Sequence, residues 1–365
     1  MPTGAVSRRT LNRTLLTRQF LLERARTGPR EVVRHLVGLQ SQTPASPYPG
    51  LWSRLAGFRF DALGELLTSR RVVRITAMRA TVHLMAAEDV HWLRPLLQPA
   101  LDRAVESSRW ARGAAGVDRA ELAAAGREAL AGGPLGPAEL RAALGPRFPE
   151  ADPESLVNLL RIRAPLVQVP PRGLWGAAGG PRYAFADDWL GAPPAQDPDP
   201  AGAVRRYLAA FGPASPADAQ KWSGLTGLRR TFAAMDLRPV TTEDGAVLYD
   251  LPDAELADPD LAAPPRLVAD FDNLLLSHAD RARVLGDVPK ERVITANGLV
   301  RGTLLLDGFV AGTWRFARTP GRAAVVLAPF APLRPADRDT LTGQALDLLA
   351  ASDPRAAPEV RVEPP

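Results

Sequence analysis

The sequence contains no cysteine, two lysines (Lys221 and Lys290), four histidines, and no apolar run long enough to cross a membrane. The absence of cysteine excludes disulfides, thiol nucleophiles, thiolate zinc sites and iron–sulfur clusters together. His35, His83, His91 and His278 form no HxH or HExxH pair, so no metal site is expected and no cofactor is called for. Lys221, Lys290 and the N-terminal amine are the only groups that could form a Schiff base. No GxxxxGK[ST] or GxGxxG loop follows a strand-like segment, which removes the phosphate cradle of NTPases and dinucleotide enzymes. The N-terminal stretch MPTGAVSRRTLNRTLL lacks the apolar centre of a signal peptide, so a cytoplasmic location is expected.

What is present is an ordinary globular composition, with 46% hydrophobic and 23% charged residues in 365. That length exceeds one ordinary core and suits two to four domains. Charge is unevenly distributed. Residues 1–100 hold 15 Arg, no Lys and 6 acidic residues, a net +9, against +5 for the whole chain. Coding bias accounts for arginine over lysine, but not for its concentration in one third of the chain. A surface for a polyanion is expected on the N-terminal part.

Proline- and aspartate-rich segments break the chain at 191–202 (GAPPAQDPDPAG) and 251–265 (LPDAELADPDLAAPP), with a softer break near 112–117. Two segments repeat. GPLGPAELRAALG from Gly133 and GPASPADAQKWSG from Gly212 share Gly-Pro, Pro-Ala, an acidic residue and a closing Gly, 79 residues apart. Pro137 and Pro216 suit the first turn of a helix, and Glu139 and Asp218 complement its dipole. Each copy is preceded by a helical stretch and runs through another into a short extended pair, the order of a winged helix. The first hundred residues can be read the same way, with helices at 12–26, 29–39, 51–58 and 61–70, then a β-ribbon turning near Ala77–Ala80. The end of the chain is strand-rich. Asn297–Gly298 and Asp307–Gly308 signal hairpins, Pro320–Gly321 marks a further turn, and a helix is expected over 334–351. The expected fold class is α+β, with three tandem winged-helix motifs and a C-terminal antiparallel β-barrel-like domain. The boundaries are 1–115, 116–195, 200–262 and 266–365.

The stretch GLQSQTPASPYPGLW places Gln40 and Gln42 two residues apart, followed by Pro44, Pro47 and Pro49. On a continuous helix the two amides would point apart, so both reach one point only if the prolines end the helix there. An amide is a poor base, but it can hold a water and direct a dipole at developing charge. The same residues also suit a polar helix end at the surface. In DFDNLLLSHADRAR, Asp270, Asp272 and Asp280 fit either acid–base or metal chemistry, or a turn with capping aspartates and an ion pair.

GLQSQTPASPYPGLWSRL, RATVHLMAAEDVHWLRP, DFDNLLLSHADRARVLG and DGFVAGTWR together resemble the AlkZ/YcaQ-like family of winged-helix DNA glycosylases, over about residues 10–350. The resemblance implies three winged helices and a C-terminal barrel around a basic concave surface. It implies a monofunctional glycosylase, probing double-stranded DNA as a monomer, that excises cationic N7-alkylguanine adducts or crosslinks made by genotoxic natural products. The family's Gln–aliphatic–Gln motif falls on Gln40 and Gln42 as catalytic residues, and Ser41 departs from its middle position. Candidate DNA contacts are Arg54, Arg71, Arg74, Arg79, Thr81, His83, His278 and Arg281, and the Asp307–Gly308 hairpin is expected at the DNA face. A non-catalytic winged-helix regulator binding DNA or a drug is the alternative.

Overall fold

Helix α1 (Arg8–Arg18) starts where the Ser7 hydroxyl accepts the Thr10 backbone N–H. It is among the first elements of a computed structural model that describes residues 5–365. Helix α2 (Pro29–His35) has proline in its first turn and stops at Leu36. Val37 and Gly38 then adopt φ of 54° and 98°, which reverses the chain. Leu39–Gln40 emerges as a two-residue strand, β1, so the helix expected to reach Leu39 ends earlier. Pro47 and Pro49 do not end a helix. They lie inside the short α3 (Pro47–Trp52), with Pro47 in its first turn. Helix α4 (Phe60–Thr68) leads into the hairpin of β2 (Val72–Thr76) and β3 (Val82–Ala86), which turns through a 3-10 segment at Met78–Ala80. The long α5 (Ala87–Glu106) follows.

The middle of the chain holds α6 (Arg109–Gly113), α7 (Arg119–Leu130), α8 (Pro137–Leu144), α9 (Pro153–Arg163), β4 (Leu166–Gln168), β5 (Tyr183–Phe185) and α10 (Ala186–Leu190). Next come α11 (Pro200–Phe211), α12 (Pro216–Ser223), α13 (Leu228–Ala233) and the pair β6 (Arg238–Thr241) and β7 (Val247–Asp250). The repeat is visible in these two segments. Helices α8 and α12 are each eight residues long and start at the two matching prolines. The carboxylates of Glu139 and Asp218 accept the backbone N–H of Gly136 (2.6 Å) and Ser215 (2.8 Å).

Strands β4 and β5 do not form a free wing. They join β1, β2 and β3 in one sheet of order β1-β3-β2-β4-β5. The junction is Arg74 opposite Gln168 and Ile75 opposite Val167.

The last segment comprises β8 (Arg266–Val268), α14 (Asn273–Leu276), α15 (Ala282–Leu285), β9 (Gly302–Leu306), β10 (Phe309–Thr319), β11 (Arg322–Pro329), α16 (Pro335–Ser352) and β12 (Ala357–Val362). Its sheet has the order β12-β11-β10-β9-β8 and is open rather than a closed barrel. It is mixed rather than antiparallel, because α16 carries the chain back so that β12 runs parallel to β11. Asp307 and Gly308, at φ 46° and 81°, make the expected tight turn between β9 and β10. Asn297–Gly298 turns the chain within a loop, closed by one bridge between Ile294 and Val300.

One apolar core runs from Leu15 to Leu349 and ties the first, third and last segments together. The middle segment adds its own core around Leu122, Leu140, Leu156 and Leu160. No helix among the described residues is long and apolar enough to cross a membrane.

Candidate active site

Strand β1 pairs antiparallel with β3, with Gln40 opposite His83, and the pairing continues where the Ser41 N–H donates to the Val82 carbonyl at 2.7 Å. Gln40 ends the strand and Gln42 lies in the bend just beyond it, where its side chain still reaches the Val82 N–H of β3. The two amides are therefore held along β3, and no helix is broken to aim them. Gln42 is exposed, whereas Gln40 is 7% exposed and presents only an edge. Ser41 is fully buried. Arg74 donates from Nε to its hydroxyl at 3.0 Å and from Nη2 to its carbonyl at 2.8 Å.

Arg79 sits at the hairpin turn with φ 55°, and its guanidinium reaches back over the site. It donates to Gln40 Oε1 at 2.8 Å and to the Trp222 carbonyl. Arg79 Nη2 also lies 3.3 Å from His83 Nε2, while His83 Nδ1 is 3.0 Å from the Thr81 carbonyl. The consistent arrangement is Nδ1–H donating to Thr81, with Nε2 left to accept from Arg79. Burial, together with the Arg79 charge, pushes His83 down to about 3, so the ring is neutral at ordinary pH. Burial and the charge of Arg281 lower Arg79 to about 10, which leaves it a cation at neutral pH. Gln42 Oε1 accepts the Val82 N–H at 3.3 Å. Both amide carbonyls thus face protein donors, and the NH₂ groups are what the pair offers outward. This reverses the expectation that the carbonyl dipoles face the substrate.

The loop after Gln42 borders a cleft of about 650 Å³. Thr43, Ala45 and Pro49 form one wall, Asp270 another, and Trp314, Arg315 and Arg318 of the C-terminal sheet a third. The Ser46 hydroxyl donates to Asp270 Oδ2 at 2.7 Å. Burial raises the Asp270 carboxyl above the ordinary value, against the Ser46 and Thr43 hydroxyls. The other two aspartates are accounted for structurally. Asp272 caps α14 by accepting the Leu274 N–H, and Asp280 accepts the Ala282 N–H at the start of α15.

A family profile for AlkZ-like DNA glycosylases matches residues 33–351. The chain belongs to that family. It is 26% identical over 374 residues to an interstrand DNA cross-link repair glycosylase of Streptomyces sahachiroi, covering 94% of each protein. It superposes on the structure of the DNA glycosylase AlkZ from the same organism with a TM-score of 0.80 at 22% identity, covering 99% of this chain and 100% of that one.

In this glycosylase several sequence-predicted DNA contacts are interior. Arg54 is fully buried and donates to Asp272 at 2.7 and 2.8 Å, to the Gly50 carbonyl at 2.9 Å and to Gln19 at 3.1 Å. It is a structural ion pair and has no surface to offer DNA. Arg74, 2% exposed, is consumed by Ser41. His83 lies inside behind Arg79, and His278, 1% exposed, donates from Nε2 to the Phe211 carbonyl at 3.0 Å. Burial, with Arg283 nearby, pushes His278 down to about 3, so it is neutral as well.

Arg71 is exposed and forms no ion pair among the described residues. Thr81 and Arg281 are half-buried, and Arg281 donates to the Leu275 carbonyl at 2.6 Å. Lys221, one of the amines that could form a Schiff base, is partly buried near Arg281, Arg79 and Lys290, and burial together with these charges lowers its ammonium. Arg79, which touches Gln40, thus belongs to a group of cations with Lys221, Arg281 and Lys290, drawn from three separate parts of the chain. The N-terminal amine lies outside the described residues. The Asp307–Gly308 turn packs against α1, where Arg9 and Arg13 both bind the surface carboxylate of Asp307.

Proposed function

We propose that this glycosylase hydrolyses the N-glycosidic bond of cationic N7-alkylguanine in duplex DNA, as adducts or as interstrand crosslinks left by genotoxic natural products. The observation that carries this reading is that Gln40, at the end of β1, and Gln42, in the bend beyond it, are both held through their carbonyls, Gln40 by the Arg79 cation and Gln42 by the Val82 N–H, which leaves both NH₂ groups free. An amide pair can position a water but cannot protonate a leaving group. N7-alkylguanine needs no acid, since its positive charge lets it depart as a neutral base. Similarity to the S. sahachiroi interstrand DNA cross-link repair glycosylase supports crosslinks as substrates.

On this reading the three helical segments, at 1–115, 116–195 and 200–262, act as winged helices, and residues 266–365 complete the DNA surface. Arg71, Arg79, Thr81 and Arg281 contact phosphates, joined by Lys221 and Lys290. The protein works as a monomer in the cytoplasm, with water as nucleophile and no metal or cofactor. Single-turnover excision on two duplexes, one with N7-methylguanine and one with uracil, tests the mechanism. Alkali-labile sites should appear in the first only. Retardation of both duplexes without abasic product would establish a DNA-binding regulator instead, and robust uracil release would require an acid.

A further inference from the structure

Gln40 and Gln42 hold a water through N–H donors, because both carbonyls are engaged by the protein. A water held this way is oriented, but nothing in the pair takes its proton. The acceptor must come from elsewhere, and the cleft next to the motif is lined by two carboxylates, Asp270 and Glu363, of which Glu363 is already paired with Arg315.

We propose that Asp270 is a further catalytic residue of this glycosylase, the base that accepts the proton of the attacking water. Three observations converge on it. Asp270 and Thr43, the residue after Gln42, line the same cleft of about 650 Å³, which is large enough to admit a bulky purine adduct. Its Oδ2 is fixed by the Ser46 hydroxyl at 2.7 Å, and the Thr43 hydroxyl also bears on the carboxylate, so the groups that hold it are neutral. No cation among the described residues lies within ion-pair distance of it, whereas its neighbour Asp272 is fully neutralised by Arg54.

The charged groups around it are already committed or more distant. Asp272 stands on the same loop and adds to the rise of the Asp270 carboxyl. From the facing strands, Arg315 pairs with Glu363 at 2.9 Å and Arg318 with Asp353 at 2.9 Å. Arg301 lines the cleft before β9. A carboxylate held by hydroxyls rather than by a cation keeps its basicity, which is what general-base work near neutral pH requires.

The step balances without a further reactant. The water oxygen bonds to C1′ of the deoxyribose and the C1′–N9 bond breaks. The electron pair of that bond goes to the purine and cancels the charge at N7. The water proton goes to Asp270.

This role rests on the proposed N7-alkylguanine reaction, and one experiment separates the two. Single-turnover excision of N7-methylguanine from duplex DNA is measured across pH for the wild type, D270N and D270E, with DNA affinity measured in parallel. The wild-type rate should climb with pH through the raised Asp270 value and then level. D270N should bind DNA normally but be slower by on the order of 10²-fold, with a flat profile. D270E should recover part of the rate and the slope. An unchanged rate in D270N, or the same pH profile, would overturn the role of Asp270 while leaving the substrate assignment standing. Absence of release by the wild type would overturn the substrate assignment and this role with it.

Discussion

Arg54 offers the sharpest check on the difference between charge counted in sequence and charge presented by the fold. It makes four hydrogen bonds in the interior, two of them parallel bonds to Asp272. Both side chains are essentially unexposed, at 0% and 1%. Removing one partner of such a pair strands the other charge in a low-dielectric interior, which costs about 3–5 kcal/mol. Asp272 also caps α14, so the loss falls on the loop that carries Asp270. R54M should therefore lower the unfolding free energy by about that amount in denaturant titration. R54M/D272L, which removes both charges, should recover part of the loss, because no uncompensated ion remains. The salt dependence of DNA binding by folded R54M should match the wild type, since each phosphate contact contributes roughly 0.9 to the slope of log affinity on log salt. A stable R54M whose slope drops by about one such unit would refute the interior assignment and restore Arg54 to the DNA surface.

Arg71, exposed and unpaired among the described residues, should behave in the opposite way. R71A leaves stability within about 0.5 kcal/mol and reduces the salt slope by roughly 0.9, read from binding titrations at several salt concentrations. Q40A and Q42A should each slow single-turnover excision by on the order of 10²–10³ while binding changes little, by analogy with the loss of a preorganised amide donor. His83 and His278 are both pushed down to about 3 in the fold, below the unfolded value near 6.5. The unfolded chain then binds the extra protons, so stability is complete above about pH 6.5 and declines as pH falls toward 3. The slope is at most about 1.4 kcal/mol per pH unit for each histidine, and replacing either by glutamine should flatten it in denaturation measured from pH 7 to 5.

The pair Gln40 and Gln42 is legible from spacing and residue type, but the reason for it is not. A two-residue strand has no local signature, and β1 exists only because β3, more than forty residues on, lies beside it. The helix-ending role assigned to the prolines failed for the same reason. Pro47 is in a first turn, and only the fold says which side of a proline is helical. The repeat was readable because it rests on local capping chemistry, a proline and an acid at fixed positions, which any context preserves. The DNA contacts were the least readable. Arginine is enriched in buried ion pairs as well as at phosphates, and nothing around Arg54 or Arg74 in the sequence separates the two uses. The missed strand β12, APEVRV, is half charged or proline and gains its place only after α16 returns the chain to the sheet edge.

The joining of β2 to β4 has a mechanical consequence. Arg74 is at once the residue opposite Gln168 in that junction and the grip on Ser41 between the two glutamines. The middle segment is therefore stitched to the strand that braces the motif and cannot swing away from it without tearing the sheet. A bulky lesion meets a nearly rigid anvil, so the compliance needed for a close approach must come from the nucleic acid. Bending and unstacking energies depend on base sequence, and flexible pyrimidine–purine steps yield most easily. Among identical lesions, the neighbours of the damaged base would then set how quickly each is removed, without any side chain reading them.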